Sequence, residues 1–411
     1  MVGSVVIVGA GEAGARTAVA LRELGFAGPV TLIGDEPLEP YERPPLSKAT
    51  LAAAEPAPTI VRSRQQLAST GIDFVAGVAV RSIDRDDQSV RCDDGREVRY
   101  QRLVLATGAR PRALSVPGEE HAHVLRTFAD ALALGPQLGG HRRLVVIGAG
   151  FIGLEVAAVA SAQGCSVVVL ESARRVMARA VPSPIAELVA DRHRMAGVEI
   201  RCSVTVTAIE VSDGGGRVVV LGDGSTLDCD AVVAGVGAVP NTELAYAAGL
   251  RIDNGIAVDA RLRTDDPAIF AIGDCCSFPH PLFGGRRLRL EAWRNAIDQG
   301  AHVARAVVGG DKAFLSVPWF WSDQYELTLQ IAGIPDVAVD EIQRTSHNGA
   351  VIRFGLDGEQ RIVSASGIGI GTTAAKDIRI AEMLIAAGAH PDPAALADAG
   401  ASLKLLLKEH T

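Results

Sequence analysis

Aromatic residues make up only 4% of the 411-residue chain. No apolar run reaches the roughly 18 residues that a membrane-spanning helix needs. Without such runs, and with 48% hydrophobic residues, the sequence predicts a globular protein long enough for two or three domains. Cysteine is scarce and poorly spaced for metals. Cys92, Cys165, Cys202, Cys229, Cys275 and Cys276 form neither a C-x-x-C pair nor a zinc pattern. His121 and His123 are too little for a metal site, so none is expected, and a reduced, cytoplasmic chain is the simplest reading. Positive charge is also in deficit. The net charge of -8 argues against a general nucleic-acid binder. The opening "MVGSVVIVGAGEAG" has no basic segment or small-residue cleavage site, so its apolar stretch is expected to be a buried strand.

What the chain has is one unit written twice. "SVVIVGAGEAG" places Gly9, Gly11 and Gly14 after an apolar run; the helical pattern "ARTAVALRELG" and the strand "PVTLIGDE" follow. "RLVVIGAGFIG" repeats this with Gly148, Gly150 and Gly153, then "LEVAAVASAQG" and "SVVVLE". Each copy ends in an acid, Asp35 or Glu36 in the first and Glu171 in the second. This is the pattern of a dinucleotide-binding βαβ unit. The first glycine makes the tight turn, the second lets backbone approach a pyrophosphate, and the third lets helix pack on strand. The free N–H groups of the helix N-terminus then face the phosphates, and the terminal acid accepts from a ribose hydroxyl. Glu12 is out of place, because it sets an anion beside the pyrophosphate unless its side chain turns outward.

Three more segments pair an apolar strand with a glycine turn. They are "YQRLVLATGARP" with Ala106, Thr107 and Gly108, "DAVVAGVGAVPN" with Gly237, and "TDDPAIFAIGDCC" with Gly273-Asp274. Together with the paired loops they resemble the glutathione-reductase-like flavoproteins with two dinucleotide-binding domains. The resemblance implies an α/β fold: two Rossmann-like domains plus an α+β C-terminal domain. FAD would be held by the first unit and the Gly-Asp segment, and the nicotinamide nucleotide by the second. Disulfide-reducing members place a C-x4-C pair after the first unit, whereas residues 36–60 contain no cysteine. Instead "GDEPLEPYERPPLSKATL" resembles the putidaredoxin reductase-like ferredoxin reductases of bacterial oxygenase systems. So do "VLRTFADA", "AIGDCC", "EAWRNAIDQG" and "PWFWSDQYELTLQIAG".

That resemblance implies specific roles. Lys48 would lie beside the flavin N5, its approach restricted by Pro44 and Pro45, where a cation favours the negatively charged reduced ring. Glu155 would pair with it and flank the nicotinamide. Arg43, Arg126, Trp293 and the backbone around Ala13 and Val80 would contact FAD, with Trp293 bulkier than the aliphatic residue of relatives. Ile152 in the second loop and Gly237 in the later turn are counted as cofactor contacts. Trp319 and Trp321 would form either a domain-interface core or a wall over the flavin. Glu171 repels a 2′-phosphate and accepts from a 2′-hydroxyl, which favours NADH, although Arg174 and Arg175 follow at once and arginines can grip a phosphate.

The expected layout is an FAD domain (1–111 and 236–316), an NADH domain (112–235) and a C-terminal domain (317–411) with a hairpin turning at Asp357-Gly358. The expected activity is NADH-dependent reduction of a 2Fe-2S ferredoxin through FAD, serving a monooxygenase or ring-hydroxylating dioxygenase. Arg286, Arg287, Arg289 and Arg294 would steer the acidic partner, with the chain a monomer or weak dimer. A rubredoxin reductase or other NADH:acceptor oxidoreductase would use the same site. A redox-sensing NADH-binding interaction protein is the non-enzymatic alternative.

Overall fold

Every residue of the strand Val5–Val8 is buried, as in a parallel sheet covered on both faces. In the computed structural model, which describes residues 3–409, it is the middle strand of a five-stranded parallel sheet. The order is Ile269–Ala271, Arg102–Leu105, Val5–Val8, Val30–Gly34, Ile72–Ala76. The chain leaves Val5–Val8 toward Val30–Gly34 on one side and returns through Arg102–Leu105 on the other. The strand order thus reverses at the middle strand, and the C-terminal end of such a switch point is where sheets of this kind take their ligands. The helix Glu12–Glu23 follows that strand and packs along the helix Trp293–Val307. Gly300 permits the approach, since a Cβ there would stand 2.7 Å from the Ala13 carbonyl oxygen. These elements belong to one compact unit, made of the chain up to Glu42, Pro58–Arg110 and Val239–Ser316.

A second unit comprises Arg43–Ala57, Pro111–Ala238 and the chain from Val317 onward. Its parallel sheet has the order Glu199–Cys202, Ser166–Glu171, Arg143–Ile147, Ala231–Ala234. Val145, Ile147 and Leu170 of this sheet share a core with Ile209, Val219 and Leu221 of an antiparallel three-stranded sheet. The C-terminal part is a five-stranded antiparallel sheet in the order Trp319–Gln324, Leu327–Gly333, Ile362–Ile370, Val351–Leu356, Asp340–Thr345. The helix Ala375–Ala386 packs on it. The hairpin between Val351–Leu356 and Ile362–Ile370 does turn at residues 357–361, yet Gln360, with φ of 58°, is the left-handed residue rather than Gly358. Asp357 makes this possible, because its carboxylate accepts from the backbone N–H of Glu359 and Arg361 and from the Arg361 guanidinium.

Candidate functional site

The two glycine loops carry the same division of labour. Gly9 and Gly148 have φ of 106° and 100°, and a Cβ on them would strike the carbonyls of Ala106 and Gly235. A Cβ on Gly14 or Gly153 would strike the carbonyl of Gly9 or Gly148, which locks helix to strand in each unit. Gly11 and Gly150 differ. Their backbones are extended (φ −72° and −80°), and a Cβ on either would meet nothing within 4 Å. No part of the chain requires glycine at these two positions. Space is kept clear there beside the free N–H groups of a helix start, which suits a pyrophosphate. The residues present therefore fit one dinucleotide in each unit.

In the first unit, Ala106, Ala13 and Gly273 lie close to the first glycine loop. Ala106 lies under Gly9, and Ala13 faces Gly273 closely enough that a Cβ there would approach to 3.2 Å. Gly273 donates its N–H to Gln299 at 2.7 Å, setting the turn that carries Asp274. The Thr107 hydroxyl donates to the Asn241 carbonyl at 2.7 Å, and the Asn241 amide returns a bond to the Thr107 carbonyl at 2.8 Å, beside Gly108 with φ of 67°. Of the two candidate ribose acids, Asp35 is exposed, whereas Glu36 accepts from the Tyr41 hydroxyl at 2.6 Å. Val80 opens the strand Val80–Asp84 and is half-buried. Trp293 begins the helix Trp293–Val307 and acts on the carboxyl of Glu12, which has not turned outward.

Arg43, Lys48 and Arg126 stand in the second unit. Pro44 and Pro45 take the first two positions of the 3-10 turn Pro44–Ser47, where a missing N–H costs nothing. The turn aims Ser47 and Lys48 at Glu155, which is 3% exposed. The Lys48 ammonium is 2.8 Å from Glu155 Oε2, and the Ser47 hydroxyl donates to the same oxygen at 2.5 Å. The Ser322 hydroxyl donates to Oε1 at 2.6 Å. The chain of contacts continues inward: the Gln324 amide donates to Ser322 Oγ, and its oxygen meets the buried His193 ring at 2.8 Å. Burial pushes the His193 pKa down. Lys48 also lies 6.0 Å above the Trp321 ring, and Trp321 stacks on Trp319 with centroids 5.5 Å apart. Arg43 donates to the Arg126 carbonyl at 2.6 Å.

The second loop is closed by Glu171, whose two oxygens accept from the N–H groups of Ala149 and Ala173, both at 2.8 Å. Ile152 stays exposed on the first turn of its helix, and Gly237 has φ of 109° beside Arg112. Arg174 is exposed. Arg175 instead folds back onto the carbonyls of Ala178 and Val181, so it is engaged elsewhere. In the arginine cluster, Arg287 pairs with Asp253, Arg294 with Asp298, and Arg289 with Glu291, leaving the Arg289 side chain only 12% exposed. Arg286 is the exposed member. All six cysteines are free, and burial pushes the Cys275 and Cys276 thiols up. Among the described residues no group of side chains could hold a metal ion, and no helix is long and apolar enough to cross a membrane.

Ser47, Ser322, Gln324 and Asn241 were not expected from sequence. A signal existed for two of them: Ser322 and Gln324 alternate on the buried side of a strand, where polar residues require a partner.

Residues 3–300 match the family described as pyridine nucleotide-disulphide oxidoreductase, and residues 319–407 match a reductase C-terminal domain. The chain is 43% identical over 406 residues to the anthranilate 1,2-dioxygenase system ferredoxin–NAD(+) reductase component of Burkholderia cepacia, covering 98% of each. It superposes on the ferredoxin reductase for the CYP199A2 system from Rhodopseudomonas palustris with a TM-score of 0.93 at 38% identity, covering 98% of this chain and 99% of that one. A covalent putidaredoxin reductase–putidaredoxin complex gives 0.92 at 37% identity, covering 99% of both chains. On its paired glycine loops and on these matches, the chain belongs to the pyridine nucleotide-disulphide oxidoreductase family.

Proposed function

We propose that this chain is an NADH-dependent ferredoxin reductase that carries FAD and delivers electrons to a 2Fe-2S ferredoxin of an oxygenase system. The observation that carries the reading is a pair of dinucleotide cradles in a chain whose cysteines are all free and whose vicinal thiols are fully buried. Electrons entering from a nicotinamide thus have no dithiol to leave through. The relatives named as reductases of ferredoxins, and the neighbour solved with putidaredoxin, support a small iron–sulfur acceptor.

In this reading the first loop, with Asp35 or Glu36, Val80, Ala106–Gly108, Asp274 and Trp293, holds FAD. The second loop, with Glu171 and Gly237, holds NADH. Bound FAD supplies the conversion of a two-electron hydride transfer into single-electron steps. The protein's part is to hold a charge where the chemistry needs one. Ser47 and Ser322 fix both oxygens of Glu155, Glu155 fixes the Lys48 ammonium, and Pro44 and Pro45 restrict the segment that carries them. Such a charge is set in place before the reaction and needs no reorganisation during it. Arg286 is the cation of its cluster best exposed to an acidic ferredoxin, and the free cysteines suit a cytoplasmic setting.

The test is anaerobic stopped-flow reduction of the bound flavin by NADH, followed by cytochrome c reduction with and without a 2Fe-2S ferredoxin. Rapid flavin reduction with strictly ferredoxin-dependent turnover supports the proposal. A protein that carries no FAD and cannot be loaded with it, or one that reduces cytochrome c equally fast without ferredoxin, overturns it.

A further inference from the structure

Glu12 is an acid inside the first glycine loop. It opens the helix Glu12–Glu23 directly after Gly11, the glycine with cleared space in front of it. An anion at a helix N-terminus is normally favoured, but this position is where a pyrophosphate would bring two further negative charges. The side chain is tucked inward. Its Oε2 is buried without a hydrogen-bond partner among the described residues. Glu42 repels it, while Arg62 and Arg16 attract it, Arg16 being paired with Glu23. The facing helix Trp293–Val307 brings the Trp293 indole, which favours the ionised carboxyl.

Resting on the reading that FAD occupies the first loop, we propose that Glu12 meets the dinucleotide as a neutral carboxylic acid, so that loss of its proton loosens FAD. Burial and the repulsion by Glu42 outweigh the Trp293 indole, Arg62 and Arg16, which favour the ionised form, and a protonated acid can donate toward the anionic ligand. Burial and Glu42 already push the Glu12 pKa up to about 7 before any ligand is present. A bound pyrophosphate pushes in the same direction. Below about pH 7 the acid is in place and FAD affinity is independent of pH. Above it, binding must take up one proton, so the dissociation constant rises by up to about tenfold per pH unit until the pKa of the complex is reached.

The experiment dilutes holoprotein at pH 6 to 9 and reads released FAD by its fluorescence. Wild type is expected to hold FAD uniformly at pH 6–7 and to lose it progressively above. Glu12→Gln, a neutral isostere, should show a flat profile that matches wild type at pH 6. Glu42→Gln removes the repelling neighbour and should move the break to lower pH. If Glu12→Gln keeps the wild-type pH profile, or Glu42→Gln leaves the break in place, the proposal is overturned. If no FAD is bound at any pH, the assignment of the first loop falls, and this proposal falls with it.

Discussion

Glu155 is a buried carboxylate, and burying one alone costs several kcal/mol. Here the cost is offset by one ammonium and two hydroxyl donors. Lys48 is the only cation in that set, and no other lysine precedes Lys312 in a chain that otherwise uses arginine. Its substitution therefore has two effects that must be separated. Lys48→Ala should slow flavin reduction by NADH by an amount worth on the order of 2–4 kcal/mol, roughly 30- to 800-fold. It should also lower stability by about 3–5 kcal/mol, because Glu155 stays buried without its counter-charge. The double variant Lys48→Met/Glu155→Gln should regain most of the stability and none of the rate. A double variant that recovers both would mean the pair is structural. Glu171 ties down Ala149 and Ala173 in addition to the ribose contact proposed for it. Glu171→Gln keeps an acceptor and removes the charge, so NADPH use should rise several-fold while NADH KM rises little. Equal use of both nucleotides by wild type would refute the charge argument.

At the level of the element, the strand–loop–helix unit was legible because its constraints are local. Turn, phosphate approach and helix packing fall within six residues, and each one demands glycine. What stayed hidden depends on residues distant in sequence. Ser47 and Ser322 meet on Glu155 only because the 3-10 turn, a helix and a strand of the C-terminal sheet converge there. The Glu12 carboxyl likewise interacts with the Trp293 indole of a helix far along the chain. Charge alone gives no direction to a side chain. The loops themselves supply a clean test. Gly11→Ala and Gly150→Ala add a methyl group that touches nothing in the chain and strains no backbone, so melting temperatures of the FAD-free protein should stay within a few degrees of wild type. Gly11→Ala should weaken FAD binding and Gly150→Ala NADH binding, each about tenfold or more. Gly14→Ala and Gly153→Ala should instead destabilise the fold, because each collides with a backbone carbonyl. If Gly11→Ala and Gly150→Ala bind both nucleotides normally, the cleared space is not a phosphate site.

Across the whole molecule, charge acts on both stability and encounter. Burial pushes the pKa values of His123, His193, His280 and His302 down. A folded-state pKa below 6.5 means that stability is fully present above pH 6.5 and is lost as pH falls through the lowered values. The melting temperature should therefore drop between pH 7 and pH 5, and a flat profile would mean these rings charge without penalty. Encounter depends on the surface. With a net charge of -8 the protein repels an acidic ferredoxin at long range, so productive approach requires a local patch of the opposite sign. Arg289 cannot serve alone, because Arg289→Glu would bury a carboxylate against Glu291 and confound docking with misfolding. Arg286 is exposed on the short strand Arg286–Leu288 and can be reversed without that penalty. Arg286→Glu should leave flavin reduction by NADH unchanged and slow ferredoxin reduction about tenfold at low salt. The difference should shrink as ionic strength rises, because surface charges more than about 10 Å apart are screened near 0.1 M. A variant equally slow at low and high salt would point to a direct contact rather than steering. One with no effect at either would move the docking face off this cluster.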